Sequence, residues 1–342
     1  MQAMALNTLL FAGGLVLALL TLADVFQTVV VPGGSKASLK VAKRLLFLLL
    51  PIWKRARGKR GGLSGAFAPL VLVLCFAVWM ALLALGFGMM CYTGRHQFQP
   101  PLKSYFDSVY LVGSSLVTVG LTQSNPTGGA RWIVLGAGFC GLAVMTMAVT
   151  YLLEVQGSVS RRDIGIIKLN TAAGDPPSAL TLLERFAAIR NMGALRKDLE
   201  DGRNWCATVR QSHSNHPSLI YFQSVSTGAG WPAALGAMLD LALAAEYLID
   251  DDNLYGPALL LREEGSRMAR ELALVIGLAP KVADTDPGEI RQLVARLASS
   301  GYPMRARPDI RALAEQRADH MSCVEALAEH LGRPAAVLVR EN

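Results

Sequence analysis

Apolar positions form long unbroken blocks in the first half of this chain and broken, helically spaced sets in the second. Three blocks, residues 6–31, 67–92 and 132–155, reach the roughly 20 apolar residues that a helix needs to cross a bilayer. A fourth stretch, 105–117, is too short to cross. It predicts a re-entrant helix with Ser104 as N-cap and Asp107 in the favoured first turn. Between the first two blocks, residues 39–53 include the run Leu45-Leu46-Phe47-Leu48-Leu49-Leu50, read as an interfacial helix anchored by Trp53. Beyond Gly157 the pattern becomes that of a soluble helical domain, entered through Pro176-Pro177. Helix starts are signalled near Pro232, Pro257, Pro287 and Pro308. Apolar residues recur at helical spacing over 259–278, 290–297 and 310–331. The apolar stretch 233–249 is interrupted by Asp240 and Glu246 and reads as a buried core helix rather than a fourth span. No strand run is evident in this half. The expected fold is an all-α membrane protein. It divides into an N-terminal transmembrane helix (1–32), a basic cytoplasmic interfacial segment (33–65), a membrane module (66–156) and a cytoplasmic helical domain (157–342).

Charge orients these elements. The net charge is +7, and residues 36–60 hold nine basic residues (Lys36, Lys40, Lys43, Arg44, Lys54, Arg55, Arg57, Lys59 and Arg60) and no acidic one. Lys and Arg in short loops mark the cytoplasmic side. The N-terminus is then outside, the second span runs outward, the third returns, and the short helix enters from the outer face. Arg161 and Arg162 after the third span agree, whereas Arg95, Lys103 and Arg131 on the outer side run mildly against it. The basic segment is explained by anionic lipid, and no nucleic-acid motif is present. The first block lacks the basic flank and cleavage site of a signal peptide and is expected to be retained. The five cysteines (Cys75, Cys91, Cys140, Cys206 and Cys323) have no metal or disulfide spacing.

The chemistry-bearing segment is Leu116-Val117-Thr118-Val119-Gly120-Leu121-Thr122-Gln123, between the short helix and the third span. Polar backbone at membrane depth is tolerated only where it lines a pore or is buried in protein. Carbonyls of such a turn can replace the water around a desolvated cation. A plain tight turn between two apolar segments is the simpler reading of the same residues.

Residues 66–155 resemble the pore module of bacterial two-helix potassium channels. The likeness rests on Tyr105-Phe106-Asp107-Ser108-Val109-Tyr110, followed by Thr118-Val119-Gly120. It implies a homotetramer in the bacterial inner membrane. It also implies a filter built from the carbonyls of Thr118, Val119 and Gly120 and the Thr118 hydroxyl, with pore-helix C-termini aimed at a central cavity. The family's Thr-Val-Gly-Tyr-Gly-Asp departs here at Leu121, Thr122 and Gln123. A β-branched Thr122 reaches left-handed backbone only with strain. The form Thr-x-Gly-x-Thr is similar to the filter of cyclic-nucleotide-gated channels, which implies passage of potassium and other monovalent cations, such as sodium, with reduced discrimination. No cofactor and no catalytic residue are expected, and the chain carries no clustered acid, base or nucleophile of an enzyme. A non-conducting membrane sensor or scaffold on a degenerate pore module is the alternative. A looser likeness to a bacterial branch of the ion-channel family rests on Ala23-Asp24-Val25-Phe26-Gln27-Thr28-Val29, on residues 213–217, on Tyr221-Phe222-Gln223-Ser224 and on Trp231. It implies no particular ligand for the second half. No glycine-rich nucleotide loop is found there.

Other residues stand out. Asp24, inside the first block, is a functional candidate by position; it suits voltage or proton sensing, or a hydrogen bond to a neighbouring helix through the Trp79 indole. Gly136, Gly138 and Gly141 match a dinucleotide fingerprint but lie in a span, where glycine serves close packing or bending. Gly138 or Gly141 is a candidate gating hinge. Thr146 and Thr150, four apart, are candidates to face a lumen. Glu154 suits either an acidic ring at the inner mouth or a salt bridge to Arg161 or Arg162. The pair His213 and His216 has metal-compatible spacing but lies before Pro217 without a nearby Cys or carboxylate, and reads as surface or capping. Asp250-Asp251-Asp252-Asn253 reads as a solvated turn.

Overall fold

A computed structural model describes residues 2–31, 40–56, 63–121, 123–224, 228–283 and 285–340. The chain divides into two compact units, Met1–Val155 and Gln156–Asn342.

The first unit holds α1 (Gln2–Val29), α2 (Val41–Ala56), α3 (Leu63–Thr93) and α4 (Tyr105–Leu116), and α5 (Ala130–Ala173) begins in it and ends in the second. Among the described residues, three helices are long and apolar enough to cross a membrane: Met4–Val29, Phe67–Thr93 and Ala130–Ala173. They match the three expected blocks, and α4 matches the expected short helix. Ser104 and Asp107 form a reciprocal cap. The Ser104 Oγ accepts from the Asp107 amide at 3.1 Å and the Asp107 carboxylate from the Ser104 amide at 2.9 Å. A two-residue antiparallel pairing of β1 (Phe98–Gln99) with β2 (Asn125–Pro126) brings the two ends of the α4 segment together. Glycine sets the helix crossings. The Gly14 and Gly86 backbones touch between α1 and α3, and a Cβ on Gly88 would come within 2.7 Å of Val109 on α4. Apolar tails offer no hydrophobic drive between helices, so such close approach supplies dispersion contact instead.

Two expectations here need correction. Trp53 is not an interfacial anchor: it is buried and stacked on Phe67 at 5.2 Å between centroids. The exposed apolar residues of α2 are Phe47, Leu48 and Ile52. Helix α5 does not stop near Gly157 but continues to Ala173. The hydropathy falls there, yet neither Pro nor a left-handed residue interrupts the backbone until Gly174, at φ +83. A single Gly inside a helix costs only about 1 kcal/mol.

The second unit holds α6 (Ala179–Ile189), α7 (Met192–Asn215), a short 3-10 turn (Pro217–Tyr221), α8 (Gly230–Tyr247), α9 (Asp252–Val275), α10 (Pro287–Ser299) and α11 (Ile310–Leu331). Every residue of α8 except Tyr247 is buried. A helix apolar all round belongs in a core, and α6, α7, α9 and α11 pack against it. Its two acids are paired as a core requires. Asp240 accepts from Arg317 at 3.0 Å and lies 3.3 Å from His320, and Glu246 is gripped by Arg262 at 2.7 Å. Burial pushes the Asp240 carboxyl up, but Arg317 and His320 outweigh it and hold it below its ordinary value. Pro287 opens α10 and Pro308 precedes α11 as expected. Pro257 lies inside α9 instead, because Asp251 caps that helix six residues earlier by accepting from the Asn253 amide at 2.9 Å.

Candidate pore site

The segment after α4 folds back on the helix that precedes it. Amides of Val117, Thr118, Val119 and Gly120 donate to the carbonyls of Gly113, Ser115, Ser114 and Ser114 at 2.9–3.1 Å. These bonds satisfy the orphan carbonyls of the helix end. They also mean that those carbonyls accept from the loop, where the resemblance implied that they face a cavity. Among the described residues, no hydrogen bond ends on the carbonyls of Thr118, Val119 or Gly120. Residues 117–121 are all exposed on the single chain. The loop therefore turns its donors inward, and its acceptors meet no donor among the described residues.

The reversal needs left-handed backbone twice, at Thr118 (φ +59) and Gly120 (φ +70). Gly takes this at no steric cost, and β-branched Thr takes it with strain of about 1–3 kcal/mol. The sequence placed that strain at Thr122, which lies outside the described residues.

Gly141 is a contact glycine. A Cβ there would collide with the Leu116 carbonyl at the end of α4, whereas one on Gly138 would meet only Ser115 O at 3.5 Å and one on Gly136 nothing. The inner helix thus touches the base of the loop at Gly141, which explains that residue by packing. Thr146 and Thr150 are exposed, and each hydroxyl donates to the carbonyl four residues back, at 2.9 and 3.1 Å. Glu154 is exposed on the same helix.

Asp24 is buried, and its Oδ2 accepts from the Trp79 indole at 2.9 Å, the helix-to-helix bond considered from sequence. Two more donors were not foreseen: the Lys40 amide at 2.7 Å to Oδ1 and the Val41 amide at 3.3 Å to Oδ2. Asp24 caps the first turn of α2 from another helix. Sequence spacing carries no signal for a cap 16 residues away.

Arg162 is the residue that sequence reading misplaced. Taken as a flanking charge and a partner for Glu154, it is fully buried. Its guanidinium donates to Asp163 at 2.9 Å, Leu219 O at 3.2 Å, Phe222 O at 3.0 Å and Ser224 Oγ at 3.3 Å, and lies 3.4 Å from His213 Nε2. His213 is neither surface nor loop. It is buried in the last turn of α7 against the Trp231 ring. Burial, then the Arg162 charge, drives its pKa well below the ordinary value. His216 is the C-cap of α7, and no metal-holding cluster occurs among the described residues. Of the residues of the looser likeness, His213, Phe222 and Ser224 thus meet one arginine, and Trp231 packs on His213. A buried Arg beside an exposed one cannot be told from sequence.

Residues 70–156 match the model of a family described as Ion channel. The match runs from α3 through α4 and the loop into α5, and it includes every proposed filter residue. No curated protein and no solved structure matches the chain. Over residues 70–156 the chain is similar to that family, and its long apolar helices support a membrane protein.

Proposed function

We propose that the chain forms a tetrameric pore-loop channel for monovalent cations, potassium and sodium among them, with the carbonyls of Thr118, Val119 and Gly120 and the Thr118 hydroxyl in the ion path and Leu121 and Thr122 as the altered outer part of the filter. The observation that supports it is the loop after α4: its amides bond to its own helix, and among the described residues no donor reaches the carbonyls of three successive residues at an exposed tip. In a bilayer that arrangement is costly unless something polar passes or binds. Thr146, Thr150 and Glu154 would line the inner part of the path, Glu154 as an acidic ring. Gly138 retains the hinge role. The basic residues of 36–60 would rest on anionic lipid of the bacterial inner membrane, with the N-terminus outside, although much of that segment lies outside the described residues.

The test is cation flux in proteoliposomes, with reversal potentials in potassium–sodium gradients. Permeability to both ions with modest preference is expected. A highly potassium-selective current sinks the reduced-selectivity reading. Gly120→Ala serves as control, since Ala at φ +70 costs about 1–2 kcal/mol and should disturb the path. One observation favours a second reading, a non-conducting sensor or scaffold. Val119 and Gly120 both bond to Ser114 O, so the loop is curled rather than extended. Absence of flux from a correctly assembled protein would select it.

A further inference from the structure

The buried face of α9 runs along Leu254, Ala258, Leu261, Gly265, Met268 and Leu272. At its margin Arg262, Ser266 and Arg270 recur at every fourth position, with Glu263 and Arg267 one step further round the helix. This row, together with Gln316 and Asp319 of α11, lines a cavity of about 420 Å³ that lies wholly within the second unit. The volume is that of a small-molecule site. Every side chain that lines it is polar or charged.

The cations of this cavity are unequally committed. Arg262 is fixed: Nε and Nη2 donate to Glu246 at 2.7 and 3.2 Å, and Nη1 donates to the Gln316 Oε1 at 3.0 Å. Arg270 reaches Asp319 only at 3.7 Å, and both side chains are more than half exposed, a pair worth little in water. Arg267 makes no hydrogen bond or ion pair among the described residues. Glu271, four residues further on, is already held by Arg210 at 3.1 Å and Ser214 at 2.5 Å. Ser266 is only 8% exposed, and among the described residues its hydroxyl has no hydrogen-bond partner.

A buried hydroxyl beside two guanidinium groups with donors to spare matches the oxygens of a phosphate. Glu263 and Asp319 offer only acceptors, so they disfavour a bare anion and suit a ligand that also carries hydroxyl groups. A nucleobase finds no apolar or aromatic wall to stack on. We propose that this cavity binds a small phosphorylated sugar or polyol. Arg267, Arg270 and the Ser266 hydroxyl take the phosphate, and Glu263 and Asp319 accept from the ligand's hydroxyls. The site uses no residue of the pore segment and does not rest on the channel reading.

Calorimetric titration of the full-length protein in detergent tests it. The probes are glycerol 3-phosphate, ribose 5-phosphate and glucose 6-phosphate, with inorganic phosphate, glucose and AMP for comparison. At least one of the three esters should bind on the order of ten-fold tighter than inorganic phosphate or AMP, with no binding of glucose. Arg267→Gln should weaken that binding on the order of ten-fold and Ser266→Ala several-fold, both at unchanged melting temperature. Arg311→Gln, at an exposed position of α11, should leave it unchanged. No binding of any ester, or binding that Arg267→Gln and Ser266→Ala leave intact, overturns the site. Inorganic phosphate bound as tightly as its esters overturns the hydroxyl contacts. Tighter binding of AMP overturns the ligand class in favour of a nucleotide.

Discussion

Two adjacent arginines, alike in sequence, are expected to behave very differently when removed. Arg162→Ala deletes a fully buried guanidinium. It strands the Phe222 carbonyl and the His213 ring nitrogen, takes one of two donors from the Leu219 carbonyl, and leaves the Asp163 carboxylate without its cation. A stranded buried acceptor costs about 1–3 kcal/mol, and losing one partner of a buried charged pair about 3–5 kcal/mol. Asp163 keeps some solvent access and Ser224 still donates to it at 2.7 Å, so the lower half of that range applies. The loss should be about 3–4 kcal/mol, or on the order of 10 °C in the melting of a unit this long. Arg161→Ala removes an exposed side chain whose hydroxyl contact is Ser158 at 3.1 Å, and should stay within about 0.5 kcal/mol. Urea titration of the full chain, followed by fluorescence, reports on the hub through Trp205 and Trp231. Equal shifts for the two variants, or a loss below about 1 kcal/mol for Arg162→Ala, would refute the reasoning.

Further outcomes follow from other contacts. Gly141→Ala forces its methyl group into the Leu116 carbonyl, should cost about 1–3 kcal/mol and should change ion selectivity, while Gly136→Ala, with open space around it, leaves reversal potentials unchanged. Asp24→Asn puts an amide donor against donors from Trp79 or Val41; about 1–3 kcal/mol of stability should be lost, with a shift in Trp79 emission, and without loss of voltage dependence in voltage-step recordings. The buried His213 faces Arg162 on α5, with His216 at the end of its own helix. Its pKa is lowered on folding, so the unfolded chain binds the proton first. Stability should be full above about pH 6.5 and fall by up to about 1.4 kcal/mol per pH unit below it. His213→Gln should remove that part of the slope in urea titrations at stepped pH.

Much of this architecture was legible in the chain itself. Span length, the loop charge and the Ser104–Asp107 box are local properties, since a bilayer core and a helix end impose the same demands wherever they occur. Hence α1, α3, α4 and the apolar part of α5 were found in place, and α11 at its observed bounds. The core position of α8 was also readable, because two acids in an otherwise apolar helix call for buried partners. What the chain could not disclose was which partner each polar group meets. Asp24 takes the α2 amides, Arg162 gathers five acceptors, Gly141 rests on a carbonyl and Trp53 turns inward, each through residues far along the sequence or across a helix crossing. A hydropathy profile averages over neighbours in sequence. Desolvation and hydrogen bonding are decided by neighbours in space, and only the packed molecule fixes those.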